Sequence, residues 1–301
     1  MKKLIIVSRA SRLALWQSEY IKTQLLAHFP ELKIKIITTD TEGDRILDRP
    51  LSQIGGKALF MKELETAILE GQAHIAVHSL KDVPYELPEG FQLSAFSKRE
   101  DPCDAFISNH FNTIDELPVD AVVGTSSLRR AAQLLNHRPD LIIKDLRGNV
   151  ETRLRKLDEG QYDAIVLASA GLIRLGLLHR ITQFIDQNLC LPAVGQGIIV
   201  VESLKKDEKL SAYLSVINDP ESWRSSMAER AFNARLQGGC QVAIAAYAKA
   251  EKDQLRLTAM VASRDGKELL KKSLTGTDPA KLGNELAQLM INEGAFEILN
   301  H

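Results

Sequence analysis

The chain has 301 residues, 38 Lys+Arg against 39 Asp+Glu, a formal net charge of -1, 45 % hydrophobic residues and three cysteines. That is enough apolar material for two or three ordinary domains, and 26 % charged residues with only 10 prolines exclude an intrinsically disordered chain. Near-neutral charge argues against sequence-blind affinity for nucleic acid, and three scattered cysteines without a Cys-x-x-Cys pair exclude a disulfide scaffold and a thiolate zinc site.

Met1-Lys2-Lys3 is followed by only four apolar residues before Ser8 and Arg9, too few for a signal-peptide core. No stretch approaches the roughly 20 apolar residues that span a bilayer. The expectation is a soluble cytoplasmic protein without membrane or nucleic-acid partners.

The first half alternates between two periods. Leu4-Val7 has strand character, and Leu13-Phe29 carries apolar residues at helical spacing with Ser11 placed to cap it. Lys33-Thr38 predicts a second strand. From Thr39 to Gly56 the pattern dissolves into a charged, glycine-bearing loop of a length that often marks a functional segment. Phe60-Leu69 predicts a helix and His74-Ser79 a buried strand. After Asp101-Pro102, strands are expected at Asp104-Ser108, Ala121-Gly124, Leu141-Lys144 and Asp163-Ala168, with helices at Ser127-Leu135 and Val150-Asp158. Such alternation indicates two α/β blocks with parallel sheets covered by helices. The last third differs. Asp219-Leu236 predicts a helix that Gly238-Gly239 ends, followed by strands at Gln241-Ala250, Gln254-Ser263 and Glu268-Thr275 and a helix from Pro279 to about Asn292, a small α+β domain.

Ligands of α/β sheets bind at the carboxyl ends of strands, and three polar clusters fall there. His78-Ser79-Leu80-Lys81-Asp82-Val83-Pro84 sets a carboxylate beside a lysine, able to stabilise a developing cation or to form only a surface ion pair. Gly124-Thr125-Ser126-Ser127-Leu128-Arg129-Arg130 runs from a strand end into a helix start, where N–H groups favour anions. Arginines in a first turn oppose the helix dipole, so Arg129 and Arg130 call for an anion, with simple capping and surface charge as the alternative. Leu146-Arg147-Gly148-Asn149 follows, with Arg153, Arg155 and Arg174. Seven arginines lie between Arg129 and Arg174, and a ligand with several carboxylates suits them better than one phosphate. Part of the set, such as Arg155, belongs to a solvated helix face. Cys240 follows Gly238-Gly239, a backbone free to present a nucleophile or an attachment point. Cys190 reads as an inert small hydrophobe. His78 reads as a satisfied structural histidine, Gly55-Gly56-Lys57 lacks the P-loop pattern, Gly195-Gln196-Gly197 reads as a turn, and no His-x-x-x-His pair suggests zinc.

Together these segments resemble the porphobilinogen deaminase (hydroxymethylbilane synthase) family. The likeness runs from Ser8-Arg9-Ala10-Ser11 through Gly55-Gly56-Lys57, His78-Ser79-Leu80-Lys81-Asp82-Val83-Pro84, Val123-Gly124-Thr125-Ser126-Ser127-Leu128-Arg129-Arg130 and Leu146-Arg147-Gly148-Asn149-Val150. It continues through Leu191-Pro192-Ala193-Val194-Gly195-Gln196-Gly197, Ala228-Glu229-Arg230 and Gly238-Gly239-Cys240-Gln241-Val242. The resemblance implies two α/β lobes like those of solute-binding proteins, residues 1–97 with 198–215 and residues 103–191, plus a C-terminal α+β domain, residues 219–301. It implies a covalent dipyrromethane cofactor on Cys240. Four porphobilinogens are then added head to tail with loss of ammonia, and the linear tetrapyrrole hydroxymethylbilane is released by hydrolysis. Asp82 is the implied catalytic carboxylate, expected buried near a pyrrole N–H. By motif, Arg9, Ser11, Lys57, Ser79, Lys81, Thr125, Ser127, Arg129, Arg130, Arg147, Arg153, Arg174, Gln196 and Arg230 are expected to contact cofactor or substrate, and the Thr39-Gly56 loop to be a cover. A monomer is expected, with transient hand-over of product to the next pathway enzyme. Arg12, Cys103, Ile198-Ile199 and Ala243 depart from the family pattern as expected at those positions, and Cys103 stands where an arginine is expected.

Two rival readings share the lobes. A binding module without catalysis has no use for Cys240, and a cysteine acyltransferase needs a base that the nearest histidines in sequence, His179 and His301, supply only through folding.

Overall fold

The computed structural model describes residues 3–41, 61–205, 207–239 and 241–301. They form two compact units, one built from residues 3–41, 61–100 and 197–223, the other from residues 101–196 and 224–301.

The first unit holds a five-stranded sheet in the order β2-β1-β3-β10-β4, made by β1 (Lys3–Arg9), β2 (Lys33–Thr39), β3 (Ile75–Ser79), β4 (Phe91–Phe96) and β10 (Ile199–Leu204). β1, β2 and β3 run parallel, while β10 is antiparallel to both β3 and β4. Side chains alternate across the sheet. Leu4, Ile6, Ile75 and Val77 pack with Ile21 and Leu25 of α1 (Arg12–His28), and with Leu210 and Leu214 of α6 (Glu208–Leu214). Val7 and Ala76 face Leu64, Ala67 and Ile68 of α2 (Lys62–Leu69). Each fully buried aliphatic side chain of these two layers contributes about 1.5–3 kcal/mol. As expected, Ser11 caps α1, its hydroxyl accepting from the Ala14 N–H at 3.3 Å.

The second unit has a sheet in the order β7-β6-β8-β5-β9, made by β5 (Asp104–Ile107), β6 (Val122–Gly124), β7 (Ile142–Lys144), β8 (Ala164–Ala168) and β9 (Gln183–Phe184). β6, β7 and β8 are parallel and β5 is antiparallel to β8. Both sheets are therefore mixed, not all-parallel as the alternation suggested. β10 and β5 are each reached by chain arriving from elsewhere rather than by a helical crossover, so neither is bound to the common direction. α3 (Leu128–His137) covers Phe106, Val123 and Val166. α4 (Val150–Asp158) covers the other face at Ala105, Ile165 and Leu167. α5 (Ser169–Arg174) follows β8 directly.

The same unit carries the C-terminal α+β domain, an antiparallel sheet β11 (Ala243–Glu251), β12 (Gln254–Ala262) and β13 (Leu269–Gly276). Leu255, Leu257, Ala259 and Val261 bury against α7 (Pro220–Arg235), α8 (Pro279–Asn292) and α9 (Ala295–Asn300). The opposite face, Ala243, Ala245, Met260 and Ala262, packs on Ala132 of α3 and on Leu191. That second burial explains why β12 alternates over 254–258 and then turns wholly apolar and buried over 259–262. Asn136 donates to the Gly266 carbonyl at 2.9 Å, and Lys271 to the Asn188 carbonyl at 3.0 Å. No helix among the described residues is long and apolar enough to cross a membrane.

Candidate active site

In the first unit the carboxyl ends of β1 and β3 deliver Arg9 and Ser79, with Ser11 at the head of α1. Gln17 of α1 donates to Ser79 Oγ at 2.7 Å, tying that helix to the strand exit. The chain then makes one 3-10 turn, Leu80–Asp82, anchored by the Leu80 N–H on the Ile198 carbonyl at 2.9 Å. Leu80 is buried, Lys81 half-buried and Asp82 exposed. Asp82 is thus not the buried carboxylate expected. It is the last residue of a single 3-10 turn at a strand's carboxyl end. Lys57, Cys240 and all but Thr39, Asp40 and Thr41 of the expected cover lie outside the described residues.

One residue before Ser79, His78 Nε2 meets Glu202 Oε2 at 3.0 Å, both buried. His78 is a satisfied structural histidine. Glu65 of α2 lies on the same face of the sheet, and its carboxyl is pushed up to about 7, by burial first and by the Glu202 charge second.

In the second unit three parallel strands end side by side. β6 leads into Thr125-Ser126-Ser127, β7 into Asp145-Leu146-Arg147, and β8 into Ser169 and on to Arg174. Ser126 Oγ donates to the Leu146 carbonyl at 2.6 Å and joins the first two exits. Ser127 caps α3, accepting from the Arg130 N–H at 3.4 Å. Gly148 has φ +114° and a Cβ there would stand 2.7 Å from Thr152 Cγ2, so only glycine fits between Arg147 and Asn149. Arg153 Nε donates to the Gly148 carbonyl at 2.7 Å. Arg147 and Arg174 are buried, Arg153 half-buried and Thr125 buried. Arg230 sits on α7, where burial pulls its pKa down to about 10. An approaching carboxylate would reverse that direction.

Arg129 and Arg130 do have an anion, and it is internal. Asp104, fully buried at the start of β5, takes Arg129 Nη1 at 2.7 Å on Oδ2 and Arg130 Nη2 at 2.7 Å on Oδ1. Burial alone would raise the Asp104 pKa, but the two guanidiniums hold it well below the usual carboxylate range. Gln196 Nε2 also donates to Asp104 Oδ1, at 2.9 Å, and to the Pro102 carbonyl at 2.6 Å. Cys190 is buried beside Asp104 with its thiol pushed up to about 12 by burial, in keeping with an inert role. Cys103 is half-buried, its thiol pushed up to about 11 by burial. Of the other arginines in the run, Arg138 pairs with Asp140 and Arg155 lies exposed near Glu159.

The sequence assigned no role to Asp104 or Glu202, and marked Glu229 only as part of the Ala228-Glu229-Arg230 motif. Buried Glu229 on α7 accepts from the Gly195 N–H at 2.7 Å and the Ala248 N–H at 2.9 Å, fixing the Gly195-Gln196 turn to β11. That the Glu229 carboxylate would meet two backbone donors distant in sequence was not legible, because nothing local marks such partners.

Comparison with known proteins decides the family. The pattern described as porphobilinogen deaminase, dipyromethane cofactor binding domain, matches residues 4–212, and that of the porphobilinogen deaminase C-terminal domain matches residues 223–292. The chain is 60 % identical over 299 residues to a porphobilinogen deaminase of Francisella tularensis subsp. holarctica (strain OSU18), covering 99 % of both chains. The chain belongs to the porphobilinogen deaminase family. Another porphobilinogen deaminase, from Francisella philomiragia, matches at the same identity and coverage. Among solved structures the chain is similar to the methionine-binding protein MetQ, with a TM-score of 0.47 and 12 % identity over 74 % of this chain and 92 % of that one. No functional residue follows from that likeness.

Members of the porphobilinogen deaminase family hold a dipyrromethane cofactor through a cysteine. Each of its rings carries an acetate and a propionate, and the second unit's donors suit them: guanidiniums of Arg147, Arg153 and Arg174 around one sheet edge, and Arg230 held by burial below its ordinary pKa.

Proposed function

We infer that this chain polymerises four porphobilinogen molecules head to tail, with loss of ammonia, onto a dipyrromethane primer and releases hydroxymethylbilane by hydrolysis. The observation that carries the reading is the placing of arginines after the carboxyl ends of β6, β7 and β8, in a chain 60 % identical to a porphobilinogen deaminase over 99 % of its length. Membership of the deaminase family, rather than the arginines alone, sets aside the binding module and the cysteine acyltransferase.

The residues divide the work as follows. Cys240 is the attachment point, and the bound primer supplies the free pyrrole carbon onto which the chain grows. Arg147, Arg153, Arg174 and Arg230, with Thr125 and Ser127, hold the carboxylates of that chain. Arg9, Ser11, Lys57, Ser79 and Lys81 orient the incoming porphobilinogen. Departure of ammonia leaves positive charge on its pyrrole, and Asp82 faces the ring N–H to stabilise that charge. An exposed Asp82 suits this task, since the substrate itself brings the desolvation that strengthens the contact. Three parts share the labour, residues 1–97 with 198–215, residues 103–191 and residues 219–301. The protein works as a cytoplasmic monomer and hands its product transiently to the next enzyme.

Incubation of purified protein with porphobilinogen tests the reading. Ammonia and hydroxymethylbilane should form at four to one; consumption without that ratio, or no consumption, contradicts it.

A further inference from the structure

Arg129 and Arg130 are neighbours in sequence, both buried, and both contact Asp104, yet their donors are spent unequally. Arg130 commits all three guanidinium nitrogens, with Nε at 2.9 Å and Nη2 at 2.7 Å on Asp104 Oδ1 and Nη1 at 3.0 Å on the Val166 carbonyl. Arg129 commits only Nη1, at 2.7 Å to Asp104 Oδ2 and 2.7 Å to the Leu191 carbonyl, with Cys190 Sγ at 3.6 Å. Its Nε and Nη2 make no hydrogen bond among the described residues, although the side chain is only 5 % exposed. Neither nitrogen is among the buried polar atoms left without a partner, so this edge of an otherwise buried side chain still reaches solvent, and an Nε–Nη2 edge is one that takes a carboxylate through two parallel bonds. Asp104 itself pairs with Ala168, the last residue of β8, so it sits at the edge where β6 and β8 end. One negative charge there stands against two positive ones, which leaves a single net cation expressed through Arg129.

Resting on the functional reading above, we propose that Asp104 is a positioning residue: Arg130 clamps Asp104, and Asp104 holds Arg129 with its Nε–Nη2 edge presented to a carboxylate of the growing pyrrole chain. The two arginines then have different duties, Arg130 within the fold and Arg129 toward the ligand. Cys190 and Gln196 complete the cradle, the thiol donating to Asp104 Oδ2 at 3.3 Å and the amide to Oδ1 at 2.9 Å.

The test compares Asp104→Asn, Arg129→Gln and the double variant as purified holoenzymes, reading KM, kcat and the loaded fraction by intact mass. Asp104→Asn should raise KM for porphobilinogen about tenfold, the worth of one charge-assisted contact, with kcat within about threefold. In the Arg129→Gln background the same change should add nothing further to KM, because the residue it positions is gone. An unchanged KM in folded Asp104→Asn, or a full additional rise in the double variant, overturns the proposal. Should Asp104→Asn not fold, the wild-type enzyme decides. With arginine Nε–H resonances assigned through Arg129→Lys and Arg130→Lys, porphobilinogen should shift Arg129 and leave Arg130 in place. A shift of Arg130 with Arg129 unmoved overturns the proposal. Failure of the wild type to consume porphobilinogen refutes the functional reading instead, and the positioning role with it.

Discussion

Asp82 ends a single 3-10 turn and faces solvent, whereas Asp104 lies fully buried between two guanidiniums. The first is free of structural duty, so Asp82→Ala should reduce ammonia release by at least about 100-fold while the melting temperature moves by less than about 2 °C. Near-normal turnover would remove Asp82 from catalysis. Asp82 was legible because it stands in a long motif; Asp104 was not, because its partners come from 25 and 26 residues further along the chain. Glu65 carries a different consequence. Its folded pKa of about 7 exceeds the ordinary 4.5, so the fold keeps a proton that the open chain releases. Stability from this group is present below about 4.5 and is lost as pH rises towards 7. Glu65→Gln, near the Glu202 charge, should therefore raise the melting temperature at pH 8 by about 3 °C and flatten the decline between pH 5 and 8. Identical slopes for wild type and variant would contradict this.

Elements with a cap and a full period were read close to their observed bounds. Val150–Asp158 and Pro279–Asn292 coincide with the expected helices, and Ser11 and Ser127 start the helices they precede. Short elements escaped. Phe91–Phe96 lacks strict alternation, and Ser169–Arg174 is too brief to show helical periodicity. Strand direction also escaped, since pairing of β10 with β3 joins residues such as Val200 and His78 that no local pattern links. Long-range ties of this kind hold the elements in register. Glu229 bridges the Gly195 and Ala248 N–H groups, so Glu229→Ala leaves two buried donors without an acceptor at a cost of about 1–3 kcal/mol each. Thermal unfolding should fall by about 5 °C or more, and a shift under about 1 °C would show that the turn is held by other means.

At the scale of the molecule, a net charge of -1 conceals a local arrangement. The seven arginines of residues 129–174 separate into cations committed to the fold, such as Arg130 and Arg138, an exposed helix face at Arg155, and a group around the carboxyl ends of three parallel strands. Composition could not make that division; strand adjacency does. The C-terminal sheet packs on α3 on one face and on its own helices on the other, so both of its faces are buried. At the centre of the proposed function stands Cys240, proposed to carry a primer that grows by four pyrroles. Intact-mass measurement of protein from cells able to make porphobilinogen, with peptide localisation, tests it most directly. A fixed mass excess on the Cys240 peptide, followed by stepwise additions when porphobilinogen is supplied, is the predicted result, and an unmodified Cys240 in active protein would contradict the account.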